Sequence, residues 1–139
     1  MIILDTNVIS EAMTVSPNAK VLQWLSSQPP HLIFTTTISM AEILFGIELL
    51  PTGKRRSALL HTSETMFARL FAGRILAFDE VAARAFSRIA ASRRTRGHPI
   101  ATLDAQIVAI SRAHGAALAT RNTAHFEHCD VQLVNPWLD

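Results

Sequence analysis

The chain has 139 residues, 49% apolar and 17% charged, with thirteen Lys and Arg against eleven Asp and Glu for a net charge of +2. One domain over 1–139 with a buried core is expected, which excludes a disordered tail and an acidic solvating protein and leaves nucleic-acid or phosphate partners open. A single cysteine, Cys129, excludes a disulfide-stapled secreted scaffold.

Ile2, Ile3 and Leu4 form a short apolar run that ends on Asp5-Thr6-Asn7, the pattern of a buried parallel strand with polar residues at its carboxyl edge. A helix over 7–13 follows. Pro17 suits the first turn of another, with Val21, Leu22, Trp24 and Leu25 at helical spacing, and Pro29-Pro30 ends it. Residues 32–35 read as the second strand. Helices over 39–50 and 54–71 come next, parted by Pro51 and Gly53, and Gly73 precedes a third strand over 75–78. Asp79 is placed to cap a helix that reaches Arg96 and closes at Gly97-His98-Pro99. A last helix over 103–114 stops at Gly115, and strands over 117–120 and 131–134 complete the chain. This alternation predicts a parallel sheet covered on both faces by helices, an α/β fold. No basic leader precedes the first strand. The most apolar stretch, 32–50, carries Glu42 and Glu48, and each acid costs about 2.5–3.5 kcal/mol near a bilayer centre. A cytoplasmic chain with no membrane association is expected.

In open parallel sheets, ligands bind outside the carboxyl ends of the strands, near the reversal of strand order. Asp5 falls there directly, and Thr120-Arg121-Asn122-Thr123 follows the fourth strand. Glu42 lies in the first turn of the helix after the second strand, and Asp104 opens the helix before the fourth. Each acid has a plain structural reading by itself. Asp5 can cap the helix behind it, Ser39-Met40-Ala41-Glu42 fits a capping box, and Asp104 suits a helix dipole. Together they read differently. Three carboxylates gathered without counter-charges repel and resist ionisation, a conflict that a divalent cation resolves. Oxygen-only ligands suit magnesium or manganese better than zinc. Asp5 and Asp104 are the expected direct ligands, with Glu42 a ligand through water or the base that orients the attacking water. Gly46, one turn beyond Glu42, costs a helix about 1 kcal/mol relative to alanine, and a close backbone approach there would explain it.

The ordered set Ile2-Ile3-Leu4-Asp5-Thr6-Asn7-Val8-Ile9-Ser10, Ala41-Glu42 with Gly46, Asp104, and Ala119-Thr120-Arg121-Asn122 resembles the PIN-domain ribonucleases. Within them it is most similar to the VapC/FitB type of toxin from bacterial toxin–antitoxin pairs. Phe71-Ala72-Gly73-Arg74-Ile75-Leu76 and the ending Asn135-Pro136-Trp137 resemble the same branch, so the likeness spans essentially the whole chain. It implies a three-layer α/β/α sandwich around a central parallel sheet, with an acidic pocket that binds magnesium or manganese and cleaves RNA. Asp5, Glu42 and Asp104 fall on the family's core acids. Thr6 and Asn7 fall on its polar pair beside the first acid, and Thr120 and Asn122 on its final polar loop. The resemblance also implies a small DNA-binding antitoxin that inserts a segment into the pocket, and homodimers built through helices such as 17–28 or 38–71. Many members carry a fourth acid at the position of Asn122 or His125, and this chain has neither. That departure implies one tightly held metal ion, joined by a second only with RNA phosphate. It also leaves open a catalytically weak or inactive RNA-binding or interaction module.

Two basic runs remain, Lys54-Arg55-Arg56 and Arg88 with Arg93, Arg94 and Arg96. A solvated helix face is the ordinary reading of such runs. Arg93, Arg94 and Arg96 lie shortly before Asp104 and are candidates to hold the RNA backbone. Arg121, beside Asn122, is expected to touch RNA or to pair with a pocket acid. Aromatics are few, which favours recognition of a folded RNA such as tRNA by shape over a stacking platform. His125 and His128 beside Cys129 offer no helical ligand pair for zinc, and His98 and His114 flank helix ends as caps. A haloacid-dehalogenase-type phosphotransferase would need a second aspartate where Asn7 stands. A receiver domain would need a late lysine, and both lysines, Lys20 and Lys54, come early. With three acids assigned to metal, eight face thirteen bases elsewhere, a mild basic footprint of the kind nucleic-acid enzymes carry.

Overall fold

Ile2, Ile3 and Leu4 form strand β1 (Ile2–Leu4) at the centre of a five-stranded sheet, in a computed structural model that describes residues 1–139. It is flanked by β2 (Ile33–Thr36) and β4 (Ala117–Ala119), with β3 (Ile75–Leu76) and β5 (Leu133–Val134) at the edges. All four pairings are parallel, in the order β3-β2-β1-β4-β5. The connections carry α1 (Thr6–Ala12), α2 (Ala19–Ser27), α3 (Thr37–Glu48), α4 (Lys54–Thr65), α5 (Glu80–Thr95) and α6 (Thr102–Ala113).

The pleat sends successive β1 side chains to opposite faces. Ile3, with Leu118 of β4, packs against Ala85 and Ile89 of α5 and Ile107 and Ile110 of α6. Leu4, with Ala119, packs against Val8 and Ile9 of α1, Val21 of α2, and Ile43 and Ile47 of α3. Two apolar cores on one sheet make the expected three-layer α/β/α sandwich. No helix is long and apolar enough to cross a membrane.

Several element boundaries move for identifiable reasons. The Asn18 side chain accepts from the N–H groups of Lys20 and Val21, so α2 starts behind it and Pro17 lies outside the first turn. At α3 the cap is Thr36, whose Oγ1 accepts from Ser39 N–H at 3.0 Å. The capping box expected at Ser39 therefore does not form, and Glu42 falls in the second turn. The helix after Gly53 loosens into a π-helical turn, Met66–Leu70, before the chain reaches β3. Asp79 does cap α5, accepting from Ala82 N–H at 3.0 Å. At the far end of α5, Gly97 adopts φ +78, which lets His98 N–H reach the Arg93 carbonyl at 3.0 Å.

Candidate active site at the carboxyl edge

β1, β2 and β4 all end at one edge, and strand order reverses across β1, so the residues that follow these strands converge. Asp5 comes first. Its N–H extends the ladder to the Ala119 carbonyl at 2.9 Å, which fixes the residue before its side chain is considered. Oδ1 accepts from Thr6 N–H at 2.8 Å, capping α1 as one of the structural readings requires. Oδ2 does something a cap does not need: it accepts from Thr120 Oγ1 at 2.7 Å and from Asn7 Nδ2 at 3.2 Å. Asn7 Nδ2 also donates to Thr120 at 3.3 Å, and its Oδ1 accepts from Arg121 N–H at 3.2 Å. Thr120 Oγ1 in turn accepts from Asn122 N–H at 3.1 Å. Asp5, Asn7 and Thr120 thus bind the end of β1 to the end of β4.

Glu42 reaches the same edge from α3. Its Oε1 accepts from Thr6 Oγ1 at 2.8 Å, and Ser39 Oγ lies 2.9 Å from the same hydroxyl. Asp104 stands in the first turn of α6, as expected, with Oδ2 3.4 Å from His125 Nδ1. The electrostatics tie the three acids together. Asp5 is 5% exposed, and burial pushes its pKa up. Hydrogen bonds from Thr120 and Thr6 oppose the rise, while the charges of Asp104 and Glu42 add to it. No cation acts on Asp5 in compensation.

No three His, Cys, Asp or Glu side chains close around a single point. The donor set nevertheless fits a hard divalent ion. Its members are all carboxylates and share one field without a Lys or Arg counter-ion, and magnesium takes one or two carboxylates while keeping several waters. A caged zinc ion would need a closed set of nitrogen and sulfur ligands. Cys129 is instead a core side chain, 1% exposed, with burial raising its thiol pKa against the nearby Arg93.

The arginines divide. Arg94 and Arg96 are exposed at the end of α5. Arg93, expected beside them as an RNA contact, is buried instead. Its Nε donates to the His98 carbonyl at 2.7 Å, and Nη1 donates to the carbonyls of His125 at 2.7 Å and Glu127 at 3.0 Å. The 3.6-residue turn carries Arg93 inward from a face that Arg94 and Arg96 leave. Arg121 forms no ion pair with a pocket acid. Its guanidinium lies 5.2 Å from the centre of the Trp137 ring, and Asn135 Nδ2 donates to the Arg121 carbonyl at 3.4 Å. The C-terminal Asn135-Pro136-Trp137 segment therefore braces the loop after β4, and no local pattern in the sequence signals that link.

Beside Glu42 the edge opens into a cleft of about 550 Å³, lined by Thr6, Ser10 and Glu42 at one end and by Gly46, Arg55 and Leu59 farther along. A Cβ on Gly46 would meet nothing within 4 Å. The close backbone approach expected there is absent, and the missing side chain simply leaves the cleft wide. Arg55 belongs to the basic run Lys54-Arg55-Arg56. Only the packing of α4 on α3 distinguishes it from Arg56, which pairs with Glu48 at 2.6 Å.

Comparison with known proteins identifies the family. The PIN domain family matches residues 2–131. The toxin FitB of Neisseria gonorrhoeae is 41% identical over 139 residues, covering 100% of both chains. The VapC ribonuclease Y4jK of Sinorhizobium fredii is 39% identical over 137 residues, covering 99% of this chain and 98% of its own. A solved structure of FitAB bound to an IR36 DNA fragment superposes with a TM-score of 0.93 at 41% identity, covering 99% of this chain and 96% of that one. The chain belongs to the PIN-domain family, among its VapC and FitB members.

Proposed function

We propose that this chain is a magnesium- or manganese-dependent endoribonuclease and the toxin of a toxin–antitoxin pair. The observation that carries the reading is the buried, uncompensated Asp5 carboxylate, which shares the carboxyl edge with Glu42 and Asp104. Asp5 and Asp104 would hold the ion, and Glu42 would hold it through water. When bound, such an ion supplies positive charge opposite the scissile phosphate and makes water a nucleophile at neutral pH. The protein's own groups do the rest. Thr120, Asn7 and Thr6 fix Asp5 in one orientation. Thr6 occupies Oε1 of Glu42, which leaves Oε2 to orient the attacking water and take its proton. Asn122, whose backbone alone is engaged, presents a neutral side chain beside this group. Arg55, Arg94, Arg96 and Arg121 are exposed near the edge and serve as contacts to the RNA backbone.

The cleft beside Glu42 receives a segment of a small DNA-binding antitoxin, in keeping with the solved FitAB complex on DNA. Homodimers in the cytoplasm, acting on a folded RNA such as tRNA, complete the reading. The neutral Asn122 favours one alternative, a PIN-like module that binds RNA and cuts it weakly or not at all. Purified Asp5→Asn, Glu42→Gln and Asp104→Asn proteins decide between them. Each is expected to fold and to lose cleavage of RNA in magnesium by about 100-fold or more. Cleavage at the wild-type rate by any of the three would overturn the assignment of that acid.

A further inference from the structure

A second cleft opens on the Asp104 side of the acidic edge and shares no residue with the one beside Glu42. Its volume is about 240 Å³, and its walls are Arg93, Pro99, Ile100, Ala101, Asp104 and His125. Drug-sized ligands occupy clefts of roughly 300–1,000 Å³, so this one has room for a single ring system. Pro99, Ile100 and Ala101 supply carbon surface along one side. The His125 imidazole lines the same cleft, with 58% of the side chain exposed and Nδ1 3.4 Å from Asp104 Oδ2.

The backbone behind that ring is anchored from α5. The His125 carbonyl is held by Arg93 Nη1 at 2.7 Å, and its neighbour Phe126 is 1% exposed in the core. The same guanidinium holds the His98 and Glu127 carbonyls, so one buried side chain ties both loops that frame the cleft to α5. A flat group entering here meets aliphatic side chains, an exposed imidazole and the Asp104 carboxylate. Unpaired nucleobases are bound in this way, by stacking on a ring and by contacts to their edges. Because Asp104 belongs both to this cleft and to the acid trio, a strand with its phosphate at the acids brings an adjoining base within reach.

We infer that the cleft between Ile100 and His125 is a nucleobase subsite, which takes the base beside the scissile phosphate and sets the sequence at which RNA is cut. The inference rests on the proposed RNA cleavage and adds a specificity site to it. A random-sequence RNA pool, cut by the purified protein and sequenced at the new ends, provides the test. The wild type should discriminate by about tenfold or more at one position flanking the cut. His125→Ala and the cavity-filling Ile100→Trp should each reduce discrimination at that position to about threefold or less, with preferences at the other positions kept. His125→Phe, which preserves a stacking face, should retain it. Unchanged preference in both His125→Ala and Ile100→Trp would overturn the subsite while leaving the nuclease reading intact, as would a loss spread evenly over all positions. A wild-type protein that cuts no RNA would overturn both.

Discussion

Asp5 divides its two oxygens between fold and site. Oδ1 caps α1, and Oδ2 gathers Thr120 and Asn7 from two different elements. Burial beside Asp104 and Glu42 makes the charged form costly, so the folded chain holds the Asp5 proton more tightly than the unfolded chain does. The sign of the pH dependence follows. Stability from this group is greatest below the ordinary aspartate range and is lost as pH rises through the raised folded value. In EDTA, Asp5→Asn should therefore gain stability relative to the wild type as pH rises from about 4 to 7. Urea unfolding of the two proteins at a series of pH values measures the gap, and a gap independent of pH would contradict the burial of an uncompensated carboxylate. Arg93 is the opposite case, a charge that the fold uses up. Its Nε and Nη1 donors are held by three carbonyls, which explains why a residue that reads as part of a basic run is buried, only 6% exposed.

Among the elements, α3 shows how position in a helix separates stability from function. Gly46 lies in the last turn of α3 with nothing near its missing side chain, so it costs the helix stability without easing any contact. Gly46→Ala should raise stability by about 0.5–1 kcal/mol. Gly46→Leu should fold equally well but obstruct the cleft beside Glu42, lowering affinity for any segment that lies there by about tenfold or more. Thermal melts and a binding titration with the antitoxin or RNA read the two effects separately, and unaltered binding by Gly46→Leu would remove this cleft from the proposed interface. The strands and helix ends were legible because apolar runs, Gly73, Asp79, Gly97 and Gly115 punctuate them strongly. The gathering of the three acids was legible because the strand ends of a parallel sheet converge, and the places of Thr6, Asn7 and Thr120 beside them because the ordered motif resembles the PIN-domain ribonucleases. The start of α3 was not, because Thr36 and Ser39 are equally good caps locally and only the length of β2 selects Thr36. Nor were the inward turn of Arg93, the Trp137 brace on Arg121 or the place of Arg55. Each depends on how separate elements pack, which no local pattern records.

Over the whole molecule, the mild net charge of +2 combines clustered acids with scattered exposed bases. Acids gather at the carboxyl edge, while Arg55, Arg94, Arg96 and Arg121 remain exposed. Such a division suits an enzyme whose substrate is a polyanion and whose acids are neutralised by an ion that accompanies it. The sheet makes this possible because its strand order brings β1 and β4, distant in sequence, to one edge. The most direct test of the account is cleavage of RNA by the purified chain, free of any partner, in magnesium, in EDTA, and in EDTA followed by excess magnesium. The account predicts cutting in the first, none in the second and recovery in the third. Cutting that persists undiminished in EDTA, or its absence in both magnesium and manganese, would contradict it.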